Sequence, residues 1–294
     1  MNQITSIYMA AVSALLQLRF RPLLSGMLSF IPGVFGFWDR IRPMGNTVSA
    51  TYCQSIWQIH RDNSQRVNGG ALPVAVAELG PGASLGVCIA ALLDGVETAV
   101  ALDAGHYADS AANLRILLEL GSVGDASTLN TNLIGAVERA GGPHEERLRY
   151  VAPWSDPNVL AANSIDLIFS HSVLEHVGEP LATYGACFHW LGSGGVMSHK
   201  IDHSSHGITR RWNGHYALPE KLWALIYGRR PYLLNRQRPR QHLADMASVG
   251  FEILPESSFV IEEDNVQRTV TLANLPEDDL LVRTSMIIAR KPKS

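Results

Sequence analysis

The stretch from Val74 to Asp103 constrains the fold more than any other part of the chain. An apolar run ends at Glu78, Gly80 and Gly82 interrupt the loop that follows, and an apolar stretch with helical spacing leads to a second short apolar run. This order predicts a strand, a glycine turn, a helix and another strand. Because glycine adopts backbone angles closed to other residues and lets a ligand approach the main chain, the turn predicts a cofactor site.

Composition limits the kinds of protein to which this pattern can belong. With 294 residues, of which 46% are hydrophobic, the chain can bury a full core, and its length suits one enlarged α/β domain. A formal net charge of -3 argues against a protein that coats nucleic acid. Three distant cysteines, Cys53, Cys88 and Cys187, have neither zinc nor redox spacing, which favours a reducing, cytoplasmic setting.

The segment Glu78-Leu79-Gly80-Pro81-Gly82, with Asp103 closing the next strand, resembles the class I S-adenosylmethionine-dependent methyltransferases of small molecules. Two further segments carry the same resemblance: SIDLIFSHSVLEHV at 164–177 and LGSGGVMSHKID at 191–202. The sequence departs from the family at Ser84, where many members have a third glycine. The resemblance implies S-adenosylmethionine as cofactor and a Rossmann-like α/β fold with seven strands, mostly parallel and flanked by helices. The resemblance does not cover two parts of the chain, which are predicted to form an N-terminal helical extension and an insertion between strands five and six.

The resemblance also implies which residues contact the cofactor. Gly80 and Gly82 form the turn after Glu78, and the Asp103 carboxylate accepts hydrogen bonds from the two ribose hydroxyls. Residues after the third strand reach the adenine, so Trp154 either stacks on it or is an ordinary loop aromatic. Residues just past the fourth strand line the crevice, which places Ser170, His171 and Ser172 at the methyl-transfer site.

Four polar side chains are candidates for catalysis, namely His171, His199, Asp202 and His206. One hypothesis makes a histidine the general base, in the order His206, His199 and then His171, with Asp202 orienting the acceptor. The other makes Asp202, with His203 or His206, a ligand set for a divalent metal. The spacing matches no fixed metal motif, so the sequence predicts no metal site.

An arginine-rich and aromatic segment at 203–240 is predicted to bind the substrate. Because guanidinium groups pair with phosphate or carboxylate, Arg210, Arg211 and Arg236, together with Trp212, indicate a small anionic acceptor such as a phosphorylated or nucleotide-linked sugar. Nucleic acid is not favoured, because the acidic surroundings weaken the electrostatic footprint that it needs. The alternative is a solvated helical pair with ordinary surface arginines.

The N-terminal residues, 1–70, are predicted to form a helical extension or lid on a methyltransferase domain at 71–294. Two apolar runs, 4–18 and 23–38, are too short to span a membrane. They indicate either a helical cap packed on the catalytic domain or a peripheral membrane contact through residues 1–42.

The function most favoured by the sequence is methyl transfer from S-adenosylmethionine to a small biosynthetic intermediate. Two alternatives remain. Gly80, Gly82 and Gly86 approximate a dinucleotide fingerprint, which indicates an oxidoreductase with the same layout. The arginines and the apolar N-terminus also fit a non-catalytic module that associates with membrane or nucleic acid. The acceptor, the methylated atom and the oligomeric state are not determined by the sequence.

Overall fold

A computed structural model describes residues 16–31, 48–123, 131–140, 146–230, 232–268 and 276–293. Within these ranges one sheet of eight strands forms the centre of the molecule. The strands are β1 (Ala75–Leu79), β2 (Thr98–Leu102), β3 (Leu148–Val151), β4 (Ile165–His171), β5 (Leu191–Asp202), β6 (Glu252–Ile253), β7 (Ser258–Ile261) and β8 (Val282–Arg290).

The strand order confirms the predicted Rossmann-like sheet. The order is β3-β2-β1-β4-β5-β8-β6, and the first five strands are parallel. β8 runs antiparallel to β5 and to β6. The chain order reverses between β1 and β4, and in such sheets ligands bind outside the carboxyl ends of the strands at this switch point.

The described strands exceed the predicted seven by one, because β7 was not predicted. β6 pairs with Arg290 and Ala289, whereas β7 pairs with β8 from Met286 to Val282, so the two short strands lie one after the other along the same edge of β8. All four residues of β7 are exposed. In the sequence its apolar run, Phe259 to Ile261, has only three residues and is shorter than the runs that predict a strand.

Nine helices are described. They are α1 (Phe20–Leu28), α2 (Ala50–Val67), α3 (Gly86–Leu93), α4 (Ser110–Val123), α5 (Thr131–Arg139), α6 (Pro180–Trp190), α7 (Glu220–Tyr227), α8 (Pro239–Val249) and α9 (Glu277–Leu281). Helices α2 to α5 contribute to a core with one face of the sheet, where Trp57, Ile89 and Leu117 meet Phe169. Helices α6 and α8 cover the other face. Buried apolar side chains on both faces explain why the parallel strands read as nearly continuous apolar runs.

Two local features differ from what the sequence predicts. The pair Gly194-Gly195 predicts the end of a helix, but both glycines lie inside β5, and the helix ends at Trp190. The pairing of β5 with β4 shifts between Ile165 and Leu167, so the glycines form an irregular, bulged start of the strand. The segment that carries Glu175 predicts the start of a helix after β4, but it forms a 3-10 turn at Leu174–His176 that precedes α6.

The N-terminal segment packs on the insertion that follows β5. A Cβ atom on Gly26 of α1 would lie 2.3 Å from the carbonyl oxygen of Ile226 in α7, which shows how closely the two helices approach. Arg19 N donates to Ile208 O at 3.0 Å, next to an isolated bridge between Leu18 and Thr209. Residues 16–31 therefore contact the insertion, while 1–15 and 32–47 lie outside the described residues.

Candidate active site

A cavity of about 1100 Å³ opens at the carboxyl ends of β1, β2 and β4, at the switch point of the sheet. Its wall includes the glycine turn, the residues after β2 and β4, one side of α6, and single residues from α2 and from the insertion. Of the predicted site residues, those on its wall are Gly80, Gly82, Asp103, Trp154, His171 and Ser172.

The turn after β1 requires glycine at position 80 for two reasons. Gly80 has φ 68° and Gly82 has φ 71°, in the left-handed region that side chains rarely adopt. In addition, a Cβ atom on Gly80 would lie 2.6 Å from both γ-methyl carbons of Val173. The Gly80 amide donates to Leu102 O at 2.8 Å, which ties the turn to the end of β2.

Asp103 is the fixed carboxylate of the cavity. Its Oδ1 accepts from the Ala104 amide at 2.7 Å and its Oδ2 from the Gly82 amide at 3.1 Å. Burial raises the pKa of this carboxyl, and the two amide hydrogen bonds oppose that rise. Each carboxylate oxygen keeps a further lone pair, so the group can still accept hydrogen bonds from a ligand.

Glu78, the other acidic residue of the turn, does not line the cavity. Its side chain is buried beneath the turn, and Cys88 Sγ donates to its Oε2 at 3.3 Å. Burial raises the pKa of Glu78 to about 8, so the neutral acid predominates at pH 7. The Glu78 side chain therefore joins β1 to α3 inside the protein.

Aromatic side chains form the wall near Asp103. Trp154 donates its backbone N–H to Asp103 O at 3.0 Å, and its ring meets Trp190 edge-on with centroids 5.3 Å apart. The hydroxyl oxygens of Tyr107 and Tyr232 lie 2.5 Å apart across the cavity wall. Sequence reasoning missed this tyrosine pair, because 125 residues separate its members and only the tertiary structure brings them together.

His171 belongs to a hydrogen-bonded chain that leads away from the cavity. Lys200 Nζ lies 3.1 Å from His171 Nε2, His171 Nδ1 lies 3.4 Å from His60 Nε2, and His60 Nδ1 lies 2.8 Å from Ser198 Oγ. An ammonium group can only donate, so the network assigns His171 Nε2 as an acceptor and its Nδ1–H as a donor to His60. His60 in turn donates to Ser198.

Burial, and then the Lys200 charge, lower the pKa of His171 to about 4. Its imidazole is therefore neutral at pH 7 but only weakly basic. The nitrogen that could take a proton already accepts from Lys200. In this arrangement His171 is better suited to present a polar ring edge than to remove a proton.

A second polar cluster lies next to His176, which lines the cavity. Its members are Glu175, Asp202 and His206. His206 Nε2 is 3.2 Å from Asp202 Oδ2, and Asp202 N donates to Glu175 Oε1 at 3.4 Å. Burial tends to raise the pKa of Asp202, but hydrogen bonds from His206 and Ser204 outweigh it and hold that pKa well below its usual value. Burial opposes protonation of His206, yet the Asp202 carboxylate raises its pKa.

Ser170 and His199 are fully buried and lie off the cavity wall. They are neighbours on β4 and β5, and Ser170 Oγ lies 2.8 Å from His199 Nδ1. Successive residues of a strand point to opposite faces, so His171 reaches the cavity while Ser170 does not. Ser170 and His199 join two strands inside the protein.

The predicted substrate-binding residues, Arg210, Arg211, Trp212 and Arg236, also lie off the described cavity wall. Arg211 Nη1 donates to Val266 O at 2.8 Å. Arg236 donates to Leu218 O at 3.1 Å and pairs with Glu220 at 2.5 Å. Trp212 is buried in a small apolar cluster of its own. The insertion reaches the cavity through Tyr232.

Comparisons with known proteins give only distant likeness. No family model matches the chain, and no match was found among curated proteins. A solved S-adenosylmethionine-dependent methyltransferase from Mesorhizobium loti is 15% identical, with 77% of this chain and 97% of that one covered and a TM-score of 0.42. Phosphoethanolamine N-methyltransferase 2 of Haemonchus contortus, solved with S-adenosyl-L-methionine, is 16% identical, with 81% and 53% covered and a TM-score of 0.44.

The N-methyltransferase NodS from Bradyrhizobium japonicum, solved with S-adenosyl-L-homocysteine, is 10% identical, with 80% of this chain and 87% of that one covered and a TM-score of 0.42. All three TM-scores are below 0.5. The Rossmann-like fold of this chain is therefore assigned from its strand order and not from these similarities.

Proposed function

We propose that this chain is an S-adenosylmethionine-dependent methyltransferase that acts on a small acceptor. The observation that carries the proposal is the contact between the Asp103 carboxylate and the Gly82 amide, at the switch point of a Rossmann-like sheet. The sequence resemblance implies that this carboxylate binds the cofactor's ribose and that the glycine turn contacts the cofactor. Ligand pockets commonly have volumes of about 300–1,000 Å³, so a cavity of about 1100 Å³ is large enough for a cofactor together with a small acceptor.

The residues of the wall fit this cofactor. Asp103 has free lone pairs for two hydroxyls, and Gly80, Gly82 and the aromatic Trp154 line the same cavity. When bound, the cofactor would supply an activated methyl group on a sulfonium, which is a good leaving group. The task of the protein is then to align the acceptor and to exclude water.

The acceptor proposed from the sequence needs revision. The described cavity wall contains Asp103 and Glu179 but neither lysine nor arginine. Arg211 and Arg236 instead donate hydrogen bonds to backbone carbonyl groups within the protein. Support for an anionic sugar is therefore weak. An acceptor with a flat or apolar part fits better among Tyr52, Tyr107 and Tyr232.

The glycine pattern that indicated an oxidoreductase has a structural explanation in part. Gly86, the third glycine of the approximate dinucleotide pattern, faces α2: a Cβ atom there would lie 2.4 Å from Cys53 Sγ. Packing between helices therefore accounts for Gly86 without a ligand. Titration with reduced nicotinamide cofactor separates the two proposals.

The exposed side of α1 is apolar, as a peripheral membrane contact requires. On α1, Phe20, Leu24 and Met27 recur at helical spacing, and 73%, 40% and 50% of their respective surfaces are exposed. The opposite side of the helix packs on α7. Along the described ranges no helix is both long and apolar enough to cross a membrane. We propose that this face lies on a membrane surface.

Calorimetric titration with S-adenosylhomocysteine tests the cofactor assignment. We expect saturable binding at one site per chain. Folded protein that binds reduced nicotinamide cofactor but not S-adenosylhomocysteine would refute the methyltransferase proposal.

A further inference from the structure

Three side chains beside the cavity converge on one point. Glu175, His176 and His206 each present one donor atom, and these three atoms all lie within 4.8 Å of one another. Glu175 and His176 belong to the 3-10 turn after β4, and His206 to the loop after β5. The carboxyl ends of two adjacent strands thus bring together donors from distant parts of the sequence.

Two polar atoms of these side chains have no visible partner. Glu175 Oε2 and His176 Nδ1 are buried without a hydrogen bond among the described residues. Only 4% of the Glu175 surface is exposed, and its other oxygen accepts from the Asp202 amide. Since buried polar atoms nearly always have a partner, these two atoms indicate a ligand that binds between them.

We propose that Glu175, His176 and His206 bind a divalent transition-metal ion. Two imidazoles and one carboxylate form a ligand set typical of such ions, and catalytic zinc sites keep a fourth position open. Ligand bonds of about 2.1 Å at tetrahedral angles place donors about 3.4 Å apart, so binding would draw the three side chains slightly inward.

Asp202 supports the proposed site from outside. Its Oδ2 lies 3.2 Å from His206 Nε2, and carboxylates in this position orient metal-binding histidines. The sequence hypothesis that Asp202 with His203 or His206 ligates a metal is not favoured in that form, because the donors that converge among the described residues belong to Glu175, His176 and His206.

The position of the site indicates what the metal would do. His176 lines the cavity, so the open coordination position would lie next to the acceptor. A metal ion there would hold an oxygen of the acceptor, which favours an acceptor with a hydroxyl or carbonyl group. This role rests on the proposed function, whereas binding of the ion does not.

The experiment is titration of the full, metal-stripped chain with Co²⁺, followed by visible absorption, with Zn²⁺ as competitor. We expect one equivalent of Co²⁺ to bind with the absorption of a low-symmetry site, and Zn²⁺ to displace it. The variants E175Q and H206A should each weaken binding by about 100-fold. D202N should weaken it by about 10-fold, as outer partners do.

The matched control is H106A, because His106 is exposed, lies off the described cavity wall and contributes no donor to the cluster. It should bind Co²⁺ as the unaltered chain does. Circular dichroism reports folding of each variant, and S-adenosylhomocysteine binding, measured in parallel, tests the cofactor assignment separately. Absence of Co²⁺ binding by folded protein, or equal binding by E175Q, H206A and the unaltered chain, would overturn the metal site.

Discussion

At the scale of single residues, Asp103 is the group on which the cofactor assignment depends. Its two oxygens are already oriented by the amides of Ala104 and Gly82. A ligand that hydrogen-bonds to this carboxylate therefore meets an acceptor that needs no reorganisation. Hydrogen bonds to charged groups contribute about 1.5–3 kcal/mol, which is enough to decide whether a cofactor binds at cellular concentrations.

We expect D103N to weaken S-adenosylhomocysteine binding by about 10- to 100-fold, because the amide replaces a charged acceptor with one oxygen and one donor. Isothermal titration measures this change. The control is D62N, since Asp62 is an exposed carboxylate whose contact is with Arg61. Equal losses in both variants would show that Asp103 does not contact the cofactor.

Gly80 gives a prediction about stability. We expect G80A to lower the free energy of unfolding by about 2–4 kcal/mol, because it combines a positive φ with overlap against Val173. The matched control is G70A: Gly70 has φ 86° but open space around the Cβ position. It should cost about 1 kcal/mol. Urea unfolding compares the variants, and equal costs would exclude the proposed overlap.

At the scale of elements, α1 has one side packed on α7 and one side exposed. Membrane contact requires the exposed side to be apolar, as it is at Phe20, Leu24 and Met27. We expect the intact protein to pellet with vesicles of phosphatidylcholine and phosphatidylglycerol. Serine at these three positions should abolish pelleting without unfolding the protein.

The control for this test replaces apolar residues that are exposed elsewhere. Val260 and Ile261 on β7 have 58% and 57% of their surfaces exposed. Their replacement by serine should leave pelleting unchanged. Failure of the unaltered protein to pellet would reject the membrane contact and leave α1 as a cap.

At the scale of the whole molecule, buried histidines link stability to pH. Burial is the main cause that lowers the pKa of several of them: His171, His176 and His203 to about 4, His199, His215 and His242 to about 3, and His60 well below its usual value. The unfolded chain takes up protons on these groups below a pKa of about 6.5, while the folded chain does not. Stability therefore falls as the pH drops from about 6.5 towards 3.

Two buried acids act in the opposite direction. Burial raises the pKa of Glu78 and of Glu175 to about 8, so the folded protein keeps protons that the unfolded chain releases. Their effect lowers stability as the pH rises from about 4.5 to 8. The histidines outnumber these acids, so they dominate at acidic pH.

We expect the free energy of unfolding to be greatest near pH 7 and to fall steeply on acidification, by about 1.4 kcal/mol per pH unit for each histidine that titrates on unfolding. Urea unfolding at a series of pH values measures it. A flat profile between pH 6.5 and 4.5 would mean that these histidines are not buried in solution.

The sequence by itself determined the order of elements and the position of the cofactor turn. The strand before Glu78, the glycines after it and the strand before Asp103 depend on local patterns of apolar residues and on backbone freedom, which a sequence records directly. The same is true of β4, whose apolar run predicted the strand that ends beside the cavity.

Only the tertiary structure decided which polar side chains reach the cavity. Ser170 and His171 are neighbours, yet alternation along β4 sends one inward and one to the cavity. The arginines of the insertion looked like substrate ligands, but Arg211 and Arg236 find partners within the fold that no local pattern reveals. The pairing of Tyr232 with Tyr107 likewise depends on contacts between distant segments, and so does the approach of Glu175 to His206. Local patterns specify elements, whereas pairing between distant elements specifies the site.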